Sequence, residues 1–146
     1  MKIEQFYKDM FNHDVLFQSS YQDQRIDLYL KLLKIIKELS ITSIIDMGCA
    51  YGLFIEICNQ SGVDAFGFDL PIENLKNFHQ GLRLSNHKFF YGTINDEKFQ
   101  IDHKLPEVEA FSIFDVLRHI ERPENLLRLK TKYIIIRELS NNAYVR

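Results

Sequence analysis

The chain has 146 residues, a length that fits one domain over residues 1–146. Its residues are 46% hydrophobic and 26% charged, which is ordinary for a globular protein with a sizeable core. The formal net charge of −2 gives no general attraction for nucleic acid or an anionic membrane. No apolar stretch reaches the roughly 18 residues of a membrane-spanning helix, and the charged N-terminus lacks the apolar region of a signal peptide. The two cysteines are too few for a disulfide framework and suggest no metal site, so we expect a cytoplasmic protein with reduced thiols.

The N-terminal part of the chain predicts helices. Residues 3–17 mix aromatic and charged side chains and predict one or two short helices. The segment 25–40 carries apolar residues at helical spacing with lysines between them, which predicts an amphipathic helix. The predicted inward face of this helix consists of Leu28, Leu32, Ile35 or Ile36, and Leu39.

From residue 41 onwards, short apolar runs alternate with helical segments. Such runs are typical of strands buried in a parallel sheet, and the prolines at 71 and 123 suit the first turn of a helix. The predicted strands are 41–47, 63–70, 87–94, 109–117 and 132–139; the predicted helices are 53–62, 73–84 and 123–130, with a polar loop or weak helix at 95–107.

This alternation predicts an α/β fold, a three-layer Rossmann-like open sheet. We expect it to be mostly parallel, with about five strands and helices on both faces. Right-handed crossovers bring the carboxyl ends of parallel strands to one edge, where ligands bind in such sheets.

The sequence DMGCAYG, residues 46–52, stands at the turn after the first predicted strand. Gly48 and Gly52 allow the backbone to approach a bound molecule, and the helix that follows presents unpaired N–H groups. The spacing differs from G-x-G-x-x-G, so it fits a nicotinamide-binding turn poorly. A tight strand-to-helix turn without a ligand is the alternative explanation of the two glycines.

A second acid, Asp69, ends the second predicted strand, 23 residues after Asp46. An acid about 20 residues beyond a glycine-rich turn accepts hydrogen bonds from ribose hydroxyls. Because Pro71 follows closely, capping of the next helix is the alternative role for Asp69. The turn and the acid together indicate a ligand that contains adenosine.

A third segment, FDVLRHIERP (114–123), places a histidine and several charges at the same edge. With it, the chain resembles the class I S-adenosylmethionine-dependent methyltransferases of the small-molecule type over about residues 25–140. DMGCAYG matches that family's D-x-G-C-x-x-G motif, and FDL at 68–70 is similar to its ribose-binding acidic segment. FDVLRHIERP resembles the D-V-L-E-H-x-x-D-P segment, with Arg118 in place of the usual glutamate.

The resemblance implies S-adenosyl-L-methionine as the cofactor and assigns residues to it. Asp46 would approach the cofactor's amino group, directly or through water, and Asp69 would bind the ribose hydroxyls. Leu70 would pack on adenine, and Phe114 would lie near the methyl-donor side. The residues implied to line the methionine moiety are Gly48, Cys49, Ala50 and Gly52, and those implied to meet the adenine edge are Thr93, Ile94 and Asn95, after Gly92.

Methyl transfer from a sulfonium requires mainly alignment of a nucleophile and exclusion of water, because the methyl group is already activated. His119 is the candidate base, since histidine titrates near neutral pH; a histidine that caps or braces its loop is the alternative. The resemblance also implies that residues 1–24 form a helical lid segment. Tyr7, Tyr21 and Arg25 belong to this N-terminal part, and a packing or solvent role is the alternative for each of them. Surface positions are expected for His13, His79, His87 and His103.

The sequence also departs from the family. It has neither the N/D-P-P-Y/F/W motif of N-methylation nor the Pro-Cys pair of C5-cytosine chemistry. It has no basic stripe with interleaved aromatic residues, so a nucleic-acid substrate is disfavoured. The sequence ends at SNNAYVR, where family members usually continue with an antiparallel hairpin. The fifth strand would then be an apolar edge, which we expect a homodimer or a partner chain to cover.

We therefore expect a methyltransferase that acts on a small-molecule or glycan-type acceptor. The alternative is a catalytically weak or inactive methyltransferase-fold subunit that binds the cofactor and needs a partner; Arg118 and the short C-terminus favour it. A nucleotide- or NAD-binding enzyme of the doubly wound class is a third hypothesis, against which the D-x-G-C-x-x-G pattern counts.

Overall fold

The computed structural model describes residues 15–82, 84, 87–95, 104–117 and 120–137, with side chains from residue 25 on. The elements in chain order are helix α1 (Val15–Glu38), strand β1 (Ser43–Met47), helix α2 (Leu53–Gln60), strand β2 (Asp64–Asp69), helix α3 (Glu73–Gln80), strands β3 (Phe89–Tyr91) and β4 (Ala110–Phe114), a 3-10 helix (Pro123–Arg128) and strand β5 (Tyr133–Arg137). None of these helices is long and apolar enough to cross a membrane.

The five strands form one sheet in the order β3-β2-β1-β4-β5. Every pairing between neighbours is parallel, so the carboxyl ends of all five strands lie at one edge. The glycine-containing turn follows β1, which occupies the centre of the sheet. The predicted Rossmann-like open sheet is thus confirmed, and the strand ends that precede the described candidate residues lie at one edge.

One face of the sheet packs against α1 and α2. The inward line of α1 passes through Tyr29, Leu32 and Ile36, which share a core cluster with the apolar residues of α2. The predicted inward face is therefore confirmed for Leu32, and Ile36 is the one of the two candidate isoleucines that faces inward. The prediction is wrong at Leu39, which is 43% exposed, because the helix ends at Glu38 and the chain leaves the helical register there.

The opposite face packs against the 3-10 helix and the loop before it. Ile120 and Leu126 join a cluster with Phe111, Ile113 and other strand residues. The predicted helix at 123–130 is a shorter 3-10 helix, a form usual in pieces of a few residues. Asn125 fixes it to the sheet, since its side-chain amide donates to the carbonyl oxygen of Ile94 at 2.8 Å.

Several elements are shorter than the sequence predicts. β3 covers three residues, because β2 ends at Asp69, whose partner in the register is Tyr91. β4 ends at Phe114, because Asp115 adopts a φ of +58°, which breaks the extended backbone. Residues 3–14 and 96–103, for which helices or a loop are predicted, lie outside the described residues.

Candidate functional site

The turn after β1 begins at Gly48, which has a left-handed φ of +78°. The N–H groups of Gly48 and Cys49 donate to the carbonyl oxygen of Phe68 at 2.8 and 3.2 Å, which joins the turn to the end of β2. A Cβ atom at Gly48 would lie 2.6 Å from a methyl carbon of Val116. Backbone conformation and the close approach of the chain after β4 therefore both require glycine here.

The turn ends at Gly52, whose φ of +86° is again left-handed. A Cβ atom there would lie 2.9 Å from the ring of Phe89. Between the glycines, Cys49 packs so closely on Gly67 of β2 that a Cβ atom on Gly67 would lie 2.6 Å from the Cys49 Sγ. Burial raises the pKa of the Cys49 thiol, so Cys49 stays protonated at neutral pH and serves as a packing residue.

Asp69 connects the end of β2 to the turn. Its Oδ2 accepts a hydrogen bond from the N–H of Ala50 at 2.7 Å, and its Oδ1 accepts one from the N–H of Leu70 at 2.7 Å. Burial raises the pKa of Asp69 to about 6, although the two backbone N–H groups lower it. The alternative role as a helix cap is wrong, because the N-cap of α3 is Ile72 and no side chain caps that helix.

Asp46, near the end of β1, is buried and 3% exposed. Ser112 lies opposite it in the register of β4, and the Ser112 hydroxyl donates to Asp46 Oδ1 at 2.8 Å. Burial raises the pKa of Asp46 to about 7; the Ser112 hydrogen bond and the charge of Arg25 lower it, while Asp69 raises it. A carboxyl group with this pKa can change its charge near neutral pH when a ligand binds.

His79 of α3 is a site residue that the sequence prediction missed. It is 5% exposed, so the expected surface position is wrong. Its Nε2 lies 2.6 Å from the carbonyl oxygen of Ala50, in the middle of the turn. The sequence contains no motif that marks this histidine; its burial depends on the aromatic side chains of β3 packing beside it.

Asp115, directly after β4, is the second missed residue. It is 7% exposed and has a φ of +58°, unusual for a residue other than glycine. Its Oδ2 accepts hydrogen bonds from the guanidinium groups of Arg25, at 3.2 Å, and of Arg137. Its Oδ1 is buried and, within the part of the chain that the structure describes, has no hydrogen-bond donor. Buried polar atoms without a partner are rare, and such atoms and strained backbone both occur at functional sites.

The remaining predicted residues are held by neighbouring elements. Phe114 is 5% exposed and packs against the ring of Phe54 with centroids 5.1 Å apart. Asn95 accepts hydrogen bonds through Oδ1 from the N–H groups of Glu121 and Arg122, and its own N–H donates to the hydroxyl of Thr93. The segment after β3, including Ile94, is therefore fixed to the chain that precedes the 3-10 helix.

His119, the candidate base, and the neighbouring Arg118 lie outside the described residues. The catalytic role of His119 stays a prediction. Among the described residues, no group of three His, Cys, Asp or Glu side chains could hold a metal ion.

Several solved structures resemble this chain in fold, among them the following three. One is the plantazolicin methyltransferase BpumL, solved with a pentazolic desmethylplantazolicin analogue and S-adenosylhomocysteine (SAH). The match has a TM-score of 0.62 and 20% sequence identity, and it covers 95% of this chain and 61% of BpumL. A candidate O-methyltransferase from Nostoc punctiforme PCC 73102 has a TM-score of 0.60 and 20% identity, over 82% of this chain and 39% of that protein. The methyltransferase domain of the bacterial CtHen1 has a TM-score of 0.59 and 16% identity, over 79% of this chain and 65% of that chain.

These similarities establish the fold, which is that of the class I S-adenosylmethionine-dependent methyltransferases. The chain spans less than two thirds of the length of each of the three structures. No protein-family model and no curated protein matches the sequence.

Proposed function

We propose that the protein binds S-adenosyl-L-methionine at the carboxyl edge of β1, β2 and β4 and transfers its methyl group to a small-molecule or glycan-type acceptor. The observation that carries the proposal is the position of Asp69. Its carboxylate is fixed beside the turn by two backbone N–H groups, one on each oxygen. A carboxylate oxygen accepts more than one hydrogen bond, so both oxygens retain capacity for the two hydroxyls of a ribose.

Other residues of the edge fit the same cofactor. Asp46 would interact with its amino group, and Gly48 and Gly52 would let the backbone approach the methionine moiety. The backbone groups of Ala50 already bond to Asp69 and His79, so Ala50, like the buried Cys49, would contribute the shape of the turn. The proposed adenine contacts are made by Leu70 and by the segment Thr93, Ile94 and Asn95.

Bound S-adenosylmethionine supplies an activated methyl group on a sulfonium sulfur. The chain then has to orient the acceptor and exclude water. We assign Asp115 to the acceptor side, next to Phe114, because its Oδ1 is a buried acceptor that has no donor among the described residues. An O–H or N–H of the methyl acceptor would satisfy that oxygen. Arg25 bonds to Asp115 from α1, which supports a covering role for the N-terminal helical segment.

The ribose contact is tested by changing the ligand and the protein together. S-adenosylhomocysteine and its 2′-deoxy analogue would be titrated into the wild type and into Asp69→Ala. We expect the wild type to prefer the hydroxylated ligand by about 5- to 10-fold, and the variant to discriminate by less than about twofold. Equal discrimination by both proteins would refute the ribose role of Asp69, whatever the variant does to the turn.

The acceptor is tested with S-adenosylmethionine labelled in its methyl group. The near-neutral net charge supports a small-molecule or glycan-type acceptor rather than nucleic acid. We expect label in the small-molecule or glycan fraction of a cell extract, and label in the nucleic-acid fraction would contradict the acceptor class. Cofactor binding without transfer to any fraction would favour the alternative, a cofactor-binding subunit that needs a partner.

We also propose that a second chain, either a copy of this one or a partner protein, covers β5. β5 lies at an edge of the described sheet, and its side chains Ile134 and Ile136 are 39% and 50% exposed. Exposed apolar edge strands favour association. If a second copy covers β5, light scattering of the protein alone and with its cofactor should show a mass above that of one chain, and Ile136→Lys should lower it. A mass of one chain at every concentration would contradict the homodimer.

A further inference from the structure

The buried imidazole of His79 lies between β3 and the turn after β1. Its ring stacks on the ring of Phe89, with centroids 3.9 Å apart and an interplanar angle of 7°. Nε2 lies 2.6 Å from the carbonyl oxygen of Ala50, and Nδ1 lies 2.7 Å from the hydroxyl oxygen of Tyr91. Both ring nitrogens are thus within hydrogen-bond distance of a defined partner.

The partners determine the tautomer of the ring. A carbonyl oxygen can only accept, so Nε2 of His79 carries the proton and donates to Ala50. Burial lowers the pKa of His79 to about 4, which keeps the ring neutral near pH 7 and leaves Nδ1 without a proton. Nδ1 therefore accepts, and the hydroxyl of Tyr91 donates to it. The carbonyl of Ala50 thus sets the tautomer, and Tyr91, whose hydroxyl can donate or accept, orients the ring through its other nitrogen.

Ala50 is the residue of the turn that most needs such support. Its φ of +48° lies in the left-handed region, which is unfavourable for a residue with a Cβ atom. Its N–H donates to Asp69 at 2.7 Å, and its carbonyl accepts from His79 at 2.6 Å. The peptide groups on both sides of Ala50 are therefore fixed, one from β2 and the other from α3.

We propose that His79 is a positioning residue for the cofactor-binding turn, with Tyr91 as the residue that orients its ring. The proposal rests on the proposed function of that turn. By fixing the carbonyl of Ala50, His79 holds the turn in its ligand-binding shape before the ligand arrives. The ligand then does not have to order the turn, which strengthens binding without any direct contact between His79 and the ligand.

The test compares two amide substitutions at His79. His79→Gln places its amide nitrogen near the position of Nε2 and can still donate to Ala50. His79→Asn is shorter, reaches only the position of Nδ1, and cannot bond to Ala50. Both variants lose the stacked imidazole, so the loss of packing is similar in the two, and unfolding midpoints of both would be measured to verify this.

Calorimetry with S-adenosylhomocysteine gives the decisive comparison. We expect His79→Gln to bind within about twofold of the wild type and His79→Asn to bind about 3- to 10-fold more weakly, the range for one hydrogen bond. Equal affinities of the two variants, with the wild type binding, would overturn the positioning role. Failure of the wild type to bind would refute the proposed function itself, so the two failures are distinguishable.

Nitrogen NMR of the ring tests the assigned tautomer directly. In the wild type we expect the neutral tautomer with the proton on Nε2 from about pH 5 to pH 8. Tyr91→Phe should leave the proton on Nε2, because the carbonyl of Ala50 still requires it, and should weaken binding of S-adenosylhomocysteine about two- to threefold, because the ring loses its second hydrogen bond. Unchanged binding of S-adenosylhomocysteine by Tyr91→Phe would overturn the role of Tyr91.

Discussion

The two halves of the carboxyl edge differ in how completely their polar groups are paired. On the β1–β2 side, the turn bonds to Phe68, Asp69 and His79. On the β4–β5 side, Asp115 adopts a strained φ and holds two arginines on one oxygen, while its other oxygen is buried without a donor. This contrast applies to the residues that the structure describes.

The difference indicates that the two halves of the edge bind different ligands. A turn whose groups are satisfied within the protein is already formed, which suits a cofactor that is bound in every reaction cycle. A buried oxygen without a donor is unfavourable in the free protein and becomes satisfied when a ligand supplies an N–H or O–H. We therefore associate the β1–β2 half with the cofactor and the β4–β5 half with the methyl acceptor.

The largest expected effect comes from adding one methyl group to the turn. In Gly48→Ala, a residue with a side chain would have to adopt a φ of +78°, and its Cβ atom would lie 2.6 Å from a methyl carbon of Val116. We therefore expect the substitution to abolish measurable binding of S-adenosylhomocysteine and to lower the free energy of unfolding by about 2–4 kcal/mol. Gly62→Ala is a matched control, because Gly62 has a φ of +84° but only Lys37 Nζ within 4 Å of the added carbon.

Urea unfolding and calorimetry of both alanine variants would separate strain from steric overlap. We expect Gly62→Ala to lose about 1 kcal/mol and to bind the ligand as the wild type does. If Gly48→Ala behaved like Gly62→Ala in both measurements, the close contact between the turn and the chain after β4 would not be required for binding.

The second largest expected effect is on the free energy of unfolding, which should depend on pH because the buried carboxyl group of Asp46 titrates. The carboxyl group holds its proton up to about pH 7 when folded but loses it near pH 4 when unfolded. Between these values the folded state binds more protons at this site, so its contribution to the free energy of unfolding falls as pH rises. We expect the ligand-free Asp46→Asn variant to be more stable than the wild type at about pH 8, by on the order of a few kcal/mol.

Urea unfolding of both proteins at about pH 4, 6 and 8 measures this difference. The titration of His79 is common to both proteins, so the difference between them reports Asp46 together with its charge coupling to Asp69. The advantage of Asp46→Asn should disappear near pH 4, where both side chains are neutral. A difference that is the same at every pH would show that burial does not raise the pKa of Asp46.

The smallest effect concerns Asp115 and tests the acceptor side. Asp115→Asn weakens the pairing with Arg25 and Arg137, and we expect a loss of about 1–3 kcal/mol of stability, since the carboxylate is buried but both arginines are partly exposed. We expect methyl transfer to fall at least about tenfold, because an amide accepts less strongly than a carboxylate, while affinity for S-adenosylhomocysteine changes less than about threefold.

Asp64→Asn is the control for Asp115, because it removes an exposed ion pair with Lys88. We expect this control to change stability by less than about 1 kcal/mol and to leave methyl transfer unchanged. If Asp115→Asn lost cofactor affinity and activity to the same extent, Asp115 would belong to the cofactor half of the edge.

Much of the fold was predictable because the strands and turns have strong local signals. Apolar runs such as 41–47 mark the strands of a parallel sheet, and glycines at positions of positive φ mark the turns. The lengths of β3 and of the 3-10 helix were not predictable, because they depend on where β2 ends and on the hydrogen bond from Asn125 to Ile94.

The candidate site was predictable only where a residue is placed by its own segment. Asp46 and Asp69 lie at or near the carboxyl ends of strands and could be located from the sequence. His79 could not, because its burial depends on Phe89 and Tyr91 of a distant segment. Asp115 lies within the segment FDVLRHIERP, but its burial against Arg25 and Arg137 could not be predicted. A single sequence contains no local signal for such long-range pairing.

The central claim is that the carboxyl edge of this sheet binds S-adenosylmethionine. Its most direct test is calorimetry of the wild-type protein with S-adenosylmethionine, S-adenosylhomocysteine and NAD. We expect binding of the first two with dissociation constants below about 100 μM and no heat from NAD. Binding of NAD alone, or no binding of either adenosyl ligand at about 100 μM protein, would contradict it.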